Sequence, residues 1–117
     1  MSRPTVLCFS GHDPSGGAGV QADIETLISH RCHAASVITC LTEQDSRNVK
    51  RVLPQDAGAL IDQAHTLFSD LEVSAIKIGL IGSHHIAEAI AQILQEHPGI
   101  PVVLDPVLAA GGGTDMA

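Results

Sequence analysis

The stretch Phe9-Ser10-Gly11-His12-Asp13-Pro14-Ser15-Gly16-Gly17-Ala18-Gly19 constrains the chain most. An apolar run, Val6-Leu7-Cys8-Phe9, leads into it, and a helical pattern, Ile24, Leu27 and Ile28, leads out. The local order is therefore strand, glycine-rich turn, helix. Gly11, Gly16, Gly17 and Gly19 leave few side chains between the backbone and whatever sits above it. Glycine tolerates positive φ and lets a ligand approach closely. Free N–H groups at the start of the following helix favour anions and polar ligand atoms.

Two nucleotide-binding patterns are tested against this loop. A phosphate-gripping P-loop needs Lys and then Ser or Thr after its last glycine, and Gly16 is followed by Gly17 and Ala18, so it fails. A dinucleotide fingerprint can be laid on Gly17-x-Gly19-x-x-Ala22, with Glu43 as the distant acid. That fingerprint wants its first glycine directly at the strand end, and here it comes about seven residues later. A flexible turn without a ligand is the plain alternative.

The rest of the chain repeats the order of short apolar run, turn and helix. A second strand is expected over residues 33–41, apolar on both faces as in a central parallel strand. A polar loop over 42–48 and a short extended piece over 49–53 follow, the latter carrying Lys50 and Arg51 as an edge would. Pro54 is read as opening a helix whose apolar face is Leu60, Ile61, Ala64, Leu67 and Phe68. A third strand over 75–78 ends at Gly79. Ser83 caps a helix with Ile86, Ile90, Ile93 and Leu94 on one face, and a fourth strand, Val102-Val103-Leu104, ends at Asp105-Pro106. Strands alternating with crossover helices give a parallel sheet with helices on both faces, a three-layer αβα arrangement. Ligands of such folds bind beyond the C-terminal strand ends, where Gly11, residues 42–44, 79–81 and 105–107 all fall.

Composition narrows the partners. The net charge is −7, and the aromatic content is two Phe with no Trp or Tyr. Neither suits stacking on single-stranded nucleic acid or attraction to an anionic membrane. No run reaches the roughly 20 apolar residues of a membrane span. Residues 1–4 run directly into a strand without a signal-peptide pattern. Cys8, Cys32 and Cys40 are odd in number and lie in apolar contexts, as buried free thiols in a reducing cytoplasm would. The adjacent pairs Cys32-His33 and His84-His85 match no zinc spacing.

Gly11-His12-Asp13-Pro14-Ser15-Gly16-Gly17-Ala18-Gly19-Val20-Gln21-Ala22-Asp23 resembles the opening signature of the hydroxymethylpyrimidine and phosphomethylpyrimidine kinases of thiamine biosynthesis, which are ribokinase-like. His12 departs from it, since Ser is usual there. Three further stretches resemble the same family. Lys77-Ile78-Gly79-Leu80-Ile81-Gly82 matches its Lys-Ile-Gly-Met-Leu-Gly, and Leu104-Asp105-Pro106-Val107 matches its Leu-Asp-Pro-Val. The loop Leu41-Thr42-Glu43-Gln44 matches its Leu-Thr-x-Gln.

The resemblance implies ATP-dependent phosphorylation of 4-amino-5-hydroxymethyl-2-methylpyrimidine and of its monophosphate, with Mg2+ as cofactor, in the cytoplasm. It implies pyrimidine contacts from Gly11, Asp23, Gln44, Leu80 and Val107, with Asp105 at the magnesium and phosphate end. A homodimer is compatible with it. A primary amide offers both a donor and an acceptor, which suits Gln44 to an aminopyrimidine edge. A solvated loop glutamine, a helix-stabilising aspartate and a turn aspartate are the plain readings of Gln44, Asp23 and Asp105. Lys77 reads as an edge or snorkelling lysine and is assigned no catalysis.

The resemblance also implies what lies elsewhere in such a kinase. It covers residues 6 to about 113, and the whole chain, residues 1–117, is taken as a single, apparently truncated domain holding the N-terminal, substrate-binding half. The catalytic base and most of the ATP site are expected beyond it, so the 117-residue chain alone is expected to be inactive. Gly111-Gly112-Gly113 resembles the turn where the ATP half begins. A pyridoxal or pyridoxine kinase of the same fold and a non-catalytic remnant that binds a small molecule are the alternatives.

Overall fold

A computed structural model describes residues 3–106. Among the described residues nine elements follow one another: β1 Thr5–Ser10, α1 Gly19–Ser29, β2 His33–Ile38, β3 Cys40–Gln44, β4 Val49–Pro54, α2 Ala57–Asp70, β5 Val73–Ile78, α3 His84–Glu96 and β6 Val102–Leu104. Strands β2-β1-β5-β6 form a four-stranded parallel sheet in that order. β3 and β4 form a separate antiparallel pair.

Alternation along the strands sorts residues to two faces. Leu7 and Phe9 of β1, Ala35 and Val37 of β2, and Ile76 and Ile78 of β5 lie side by side on one face. They join Leu60 and Ala64 of α2 and Ile86, Ala89, Ile90 and Ile93 of α3 in the buried core. The expected apolar faces of both helices are therefore the ones that pack. Truncating a fully buried member such as Ile93 to Ala would cost about 2–5 kcal/mol. Cys8, Ser10 and Lys77 alternate to the opposite face, where α1 lies and its Asp23 reaches Ser10 and Lys77. This is the three-layer αβα arrangement, and among the described residues β6 is the edge strand, with Val102, Val103 and Leu104 exposed.

Two expectations are corrected. The run over 33–41 is not one strand. It breaks at Thr39, whose N–H donates to Ser10 O (2.9 Å) while its hydroxyl donates to Leu80 O (2.6 Å). The chain leaves the parallel sheet there and enters β3, so residues 42–44 are strand rather than loop. Their polar character fits a strand with one solvated face: Thr42 is buried, whereas Glu43 is exposed and pairs with Arg51 across the hairpin at 3.3 Å. The second correction concerns α2. Pro54 ends β4, and Asp56 caps the helix by accepting the Ala59 N–H at 2.8 Å. A side-chain acceptor for an orphan helix donor outweighs the fixed φ of proline as a start signal. Ser83 caps α3 as expected, accepting from Ile86 N–H at 3.2 Å.

Candidate functional site

The glycine-rich loop closes on itself around Asp13. Its carboxylate is almost fully buried. Oδ1 accepts from the Ser15 N–H (2.8 Å) and the Ser15 hydroxyl (2.7 Å), and Oδ2 accepts from the Ala18 N–H (2.8 Å). The Gly16 N–H donates to Asp13 O at 3.0 Å, and Gly16 takes φ +82°, which glycine supplies without strain. Gln21 grips the Asp13 backbone from α1, donating to its carbonyl and accepting from its N–H. Burial would raise the Asp13 pKa. Hydrogen bonds from Ser15, Ala18 and Gly17 outweigh it and hold the carboxyl below its ordinary value.

This narrows one expectation of the loop. Two of the donors around the start of α1 are already taken within the protein. The Ala18 N–H goes to Asp13, and the Val20 N–H goes to Gly11 O at 2.8 Å. The protein supplies its own anion to the helix N-terminus.

Beyond the strand ends the rim assembles from four directions. Gly11 follows β1, and a Cβ there would stand 3.2 Å from both Cys40 Sγ and Leu80 Cδ2, so Gly11 and Leu80 are in contact range across the rim. Gln44 comes in on the hairpin. Thr42 donates to His12 O at 2.8 Å, the His12 N–H donates to Cys40 O at 2.9 Å, and Gln44 Nε2 donates to the Thr42 hydroxyl. The hairpin is thereby laced to the loop, and His12 serves through its main chain. Gly82 (φ +88°) lets the chain after β5 pass Cys40, which a Cβ would meet at 3.1 Å. Asp105 follows β6. Its N–H donates to Ile78 O at 2.8 Å, and its side chain is exposed. Val107 and Gly111 to Gly113 lie outside the described residues.

Asp23 is placed by α1 under the same rim. Its Oδ1 accepts from Lys77 Nζ at 2.8 Å, and its Oδ2 accepts from the buried Ser10 hydroxyl. Lys77, read from sequence as an edge or snorkelling residue, is instead folded inward. The sequence carries no signal for this: Lys77 and Ser10 share a face only because β1 and β5 are neighbours, and register is not visible in a single sequence.

A cleft of ≈ 290 Å³ opens between the glycine loop and the hairpin turn, lined among others by Asp13, Ser15, Gln44, Asp45 and Arg47. Of the described residues that the resemblance singles out, it includes Gln44 alone. Among the described residues no group of three His, Cys, Asp or Glu side chains could hold a metal ion. His65 pairs with Glu96 (2.9 Å), His84 pairs with Glu88 (2.7 Å), and His97 stacks on Phe68. No helix among the described residues is long and apolar enough to cross a membrane.

Comparison with known proteins follows the same lines. A family model described as phosphomethylpyrimidine kinase matches residues 13–117. The hydroxymethylpyrimidine/phosphomethylpyrimidine kinase of Escherichia coli is 39% identical over 116 residues, covering 99% of this chain and 44% of that protein. The crystal structure of a phosphomethylpyrimidine kinase from Clostridium difficile superposes with a TM-score of 0.84 at 32% identity, covering 98% of this chain and 49% of that one. A Bacillus subtilis pyridoxal kinase in an ADP complex gives a TM-score of 0.82 at 32% identity, covering 91% of this chain and 42% of that one. The chain spans less than half the length of each of these three proteins.

Proposed function

This chain belongs to the phosphomethylpyrimidine kinase family, and on that footing we propose that the protein takes part in ATP-dependent phosphorylation of 4-amino-5-hydroxymethyl-2-methylpyrimidine and of its monophosphate. The observation that supports the reading is the contact range of Gly11 and Leu80 beyond the ends of β1 and β5, with Asp23 bonded to Ser10 and Lys77 of the same two strands and Gln44 tied through Thr42 to the glycine loop. Gly11 lets the ring approach the backbone, and Leu80 walls it. The Gln44 carboxamide spends one N–H on Thr42 and keeps an N–H and a carbonyl for the pyrimidine edge. Asp23 accepts from the ring amine. Val107 is assigned to the same ring by the resemblance alone.

Asp105 is assigned to the magnesium and triphosphate end. An exposed carboxylate at a strand end is a fitting hard oxygen donor for a magnesium ion that keeps its waters. The ion would neutralise charge on the transferring phosphoryl group. In the transfer, the hydroxymethyl oxygen bonds to the γ-phosphorus, the bond to the β-phosphate oxygen breaks, and ADP departs. The hydroxyl proton passes to a base that none of the residues assigned above supplies.

Pyridoxal kinase is the second reading, favoured by the fold match to the Bacillus enzyme. Pyridoxine and the aminopyrimidine are both heteroaromatic rings bearing a primary alcohol. Turnover of ATP by the full-length parent protein with each alcohol separates the two. Phosphorylation of the pyrimidine in preference to pyridoxine is expected, and the reverse order would overturn the assignment. Saturable pyrimidine binding without turnover would instead identify a binding protein.

A further inference from the structure

The polar cluster beneath the rim has a consequence for how the pyrimidine is recognised. Asp23 is held from two sides, by Lys77 Nζ on Oδ1 at 2.8 Å and by the Ser10 hydroxyl on Oδ2. The side chains of Lys77 and Asp23 are only 23% and 14% exposed. Ser10 is fully buried. Gly79 makes the room: a Cβ there would stand 2.8 Å from Lys77 Nζ and 3.0 Å from Ser10 Oγ. Cys8, level with Lys77 across the strands, feels the pair, since burial and then the Asp23 charge raise its thiol while Lys77 opposes them. A carboxylate has about four acceptor positions, so two remain for a ligand.

We propose that Lys77, with Ser10, is a positioning residue for Asp23, fixing the carboxylate so that its remaining lone pairs receive the amine of the aminopyrimidine. This rests on the reading of the rim as a pyrimidine site. A free aspartate would have to give up rotamer freedom and competing waters each time a ligand binds, whereas a clamped one has already done so. Lys77 would thus act on one functional group of the ligand, not on the ring as a whole.

The test uses two ligands, 4-amino-5-hydroxymethyl-2-methylpyrimidine and the analogue with hydrogen in place of the 4-amino group. Affinities are measured by calorimetry for the wild-type protein, Lys77→Met and Lys77→Arg. The wild type is expected to prefer the amino ligand. In Lys77→Met that preference should shrink by about tenfold, with affinity for the analogue little changed, and Lys77→Arg should restore part of it. Equal weakening of both ligands, or an undiminished preference, overturns the proposal and leaves the pair a purely structural one. Lys77→Met/Asp23→Asn carries no unpaired charge, so its thermal unfolding set against the single variants reads the coupling even if Lys77→Met folds poorly. Absence of coupling also overturns the proposal. If the variants show coupling but the wild-type protein binds neither ligand, the pyrimidine reading itself is overturned, and this proposal with it.

Discussion

The carbonyl oxygen of Gly11 accepts the N–H of Val20 at 2.8 Å, and the same oxygen stands where a Cβ on Gly19 would go. The end of β1 is thereby bonded directly to the first turn of α1. Gly19 also takes φ +62°, where a side chain is strained whatever the space. Gly19→Ala is therefore expected to destabilise the fold by about 2–4 kcal/mol, because backbone strain and a backbone clash act together. Urea unfolding of the variant measures this. Gly17→Ala is the contrast: a Cβ there meets nothing closer than 3.8 Å, and a change within about 1 kcal/mol is expected.

Asp13 makes the loop depend on pH. Its folded pKa is depressed below the ordinary 3.8 by the loop hydrogen bonds. A depressed carboxylate stabilises the fold fully above its unfolded pKa, and that stabilisation is lost as pH falls through the folded value. Acidification below about pH 4 should lower the melting temperature of the native protein more steeply than that of Asp13→Ala. At pH 7 the same variant should lose about 1.5–3 kcal/mol, the worth of hydrogen bonds to a charged group. Parallel acid limbs for the two proteins would remove Asp13 from this role.

The thiols should show the opposite sign at high pH. Burial, with the Asp23 charge adding to it against Lys77, pushes Cys8 up to about 11 from 9.0. A raised pKa favours the fold below the unfolded value and loses that stabilisation as pH rises through the folded one. Stability should therefore decline between about pH 9 and 11, with a shallower decline in Cys8→Ala. In native protein at pH 8, the partly exposed Cys32 should be alkylated well before the buried Cys8 and Cys40. Equal rates for the three thiols would contradict this.

Arg31 closes α1 in the left-handed region at φ 59°, a non-glycine residue where glycine is usual. The Cys32 N–H donates to Leu27 O (2.8 Å) and the Arg31 N–H donates to Ile28 O (3.0 Å), the bonding of a Schellman cap. Arg31→Gly keeps both bonds and relieves the conformation, so a gain of about 0.5–1 kcal/mol is expected in thermal unfolding. A loss would mean that the arginine side chain matters more than its backbone.

Much of this architecture was legible because parallel strands and amphipathic helices write periods into the sequence. Leu60 and Ala64 on α2 and Ile86, Ile90 and Ile93 on α3 were picked out by spacing alone, and all are buried. Thr39 was not legible as a break. It lies in a continuous apolar run, and only the distant Leu80 carbonyl reveals its role. Glu43 looked like a loop residue because a hairpin with one solvated face dilutes the apolar signal. The same limit hid the polar cluster around Asp23. Gly11, Gln44 and Lys77 all fall in motifs, but the pairing of Lys77 and Ser10 with Asp23 acquires meaning only once β1 and β5 are neighbours.

The central claim is that the rim holds an aminopyrimidine through Gln44. The most direct measurement is a calorimetric titration of the protein with 4-amino-5-hydroxymethyl-2-methylpyrimidine, in wild type and in Gln44→Ala. Saturable one-site binding, weakened in the variant by about 1–3 kcal/mol for the lost polar partner, is the predicted result. Binding of equal strength in the two proteins would contradict the place given to Gln44, and no binding by the wild type would contradict the pyrimidine site as a whole.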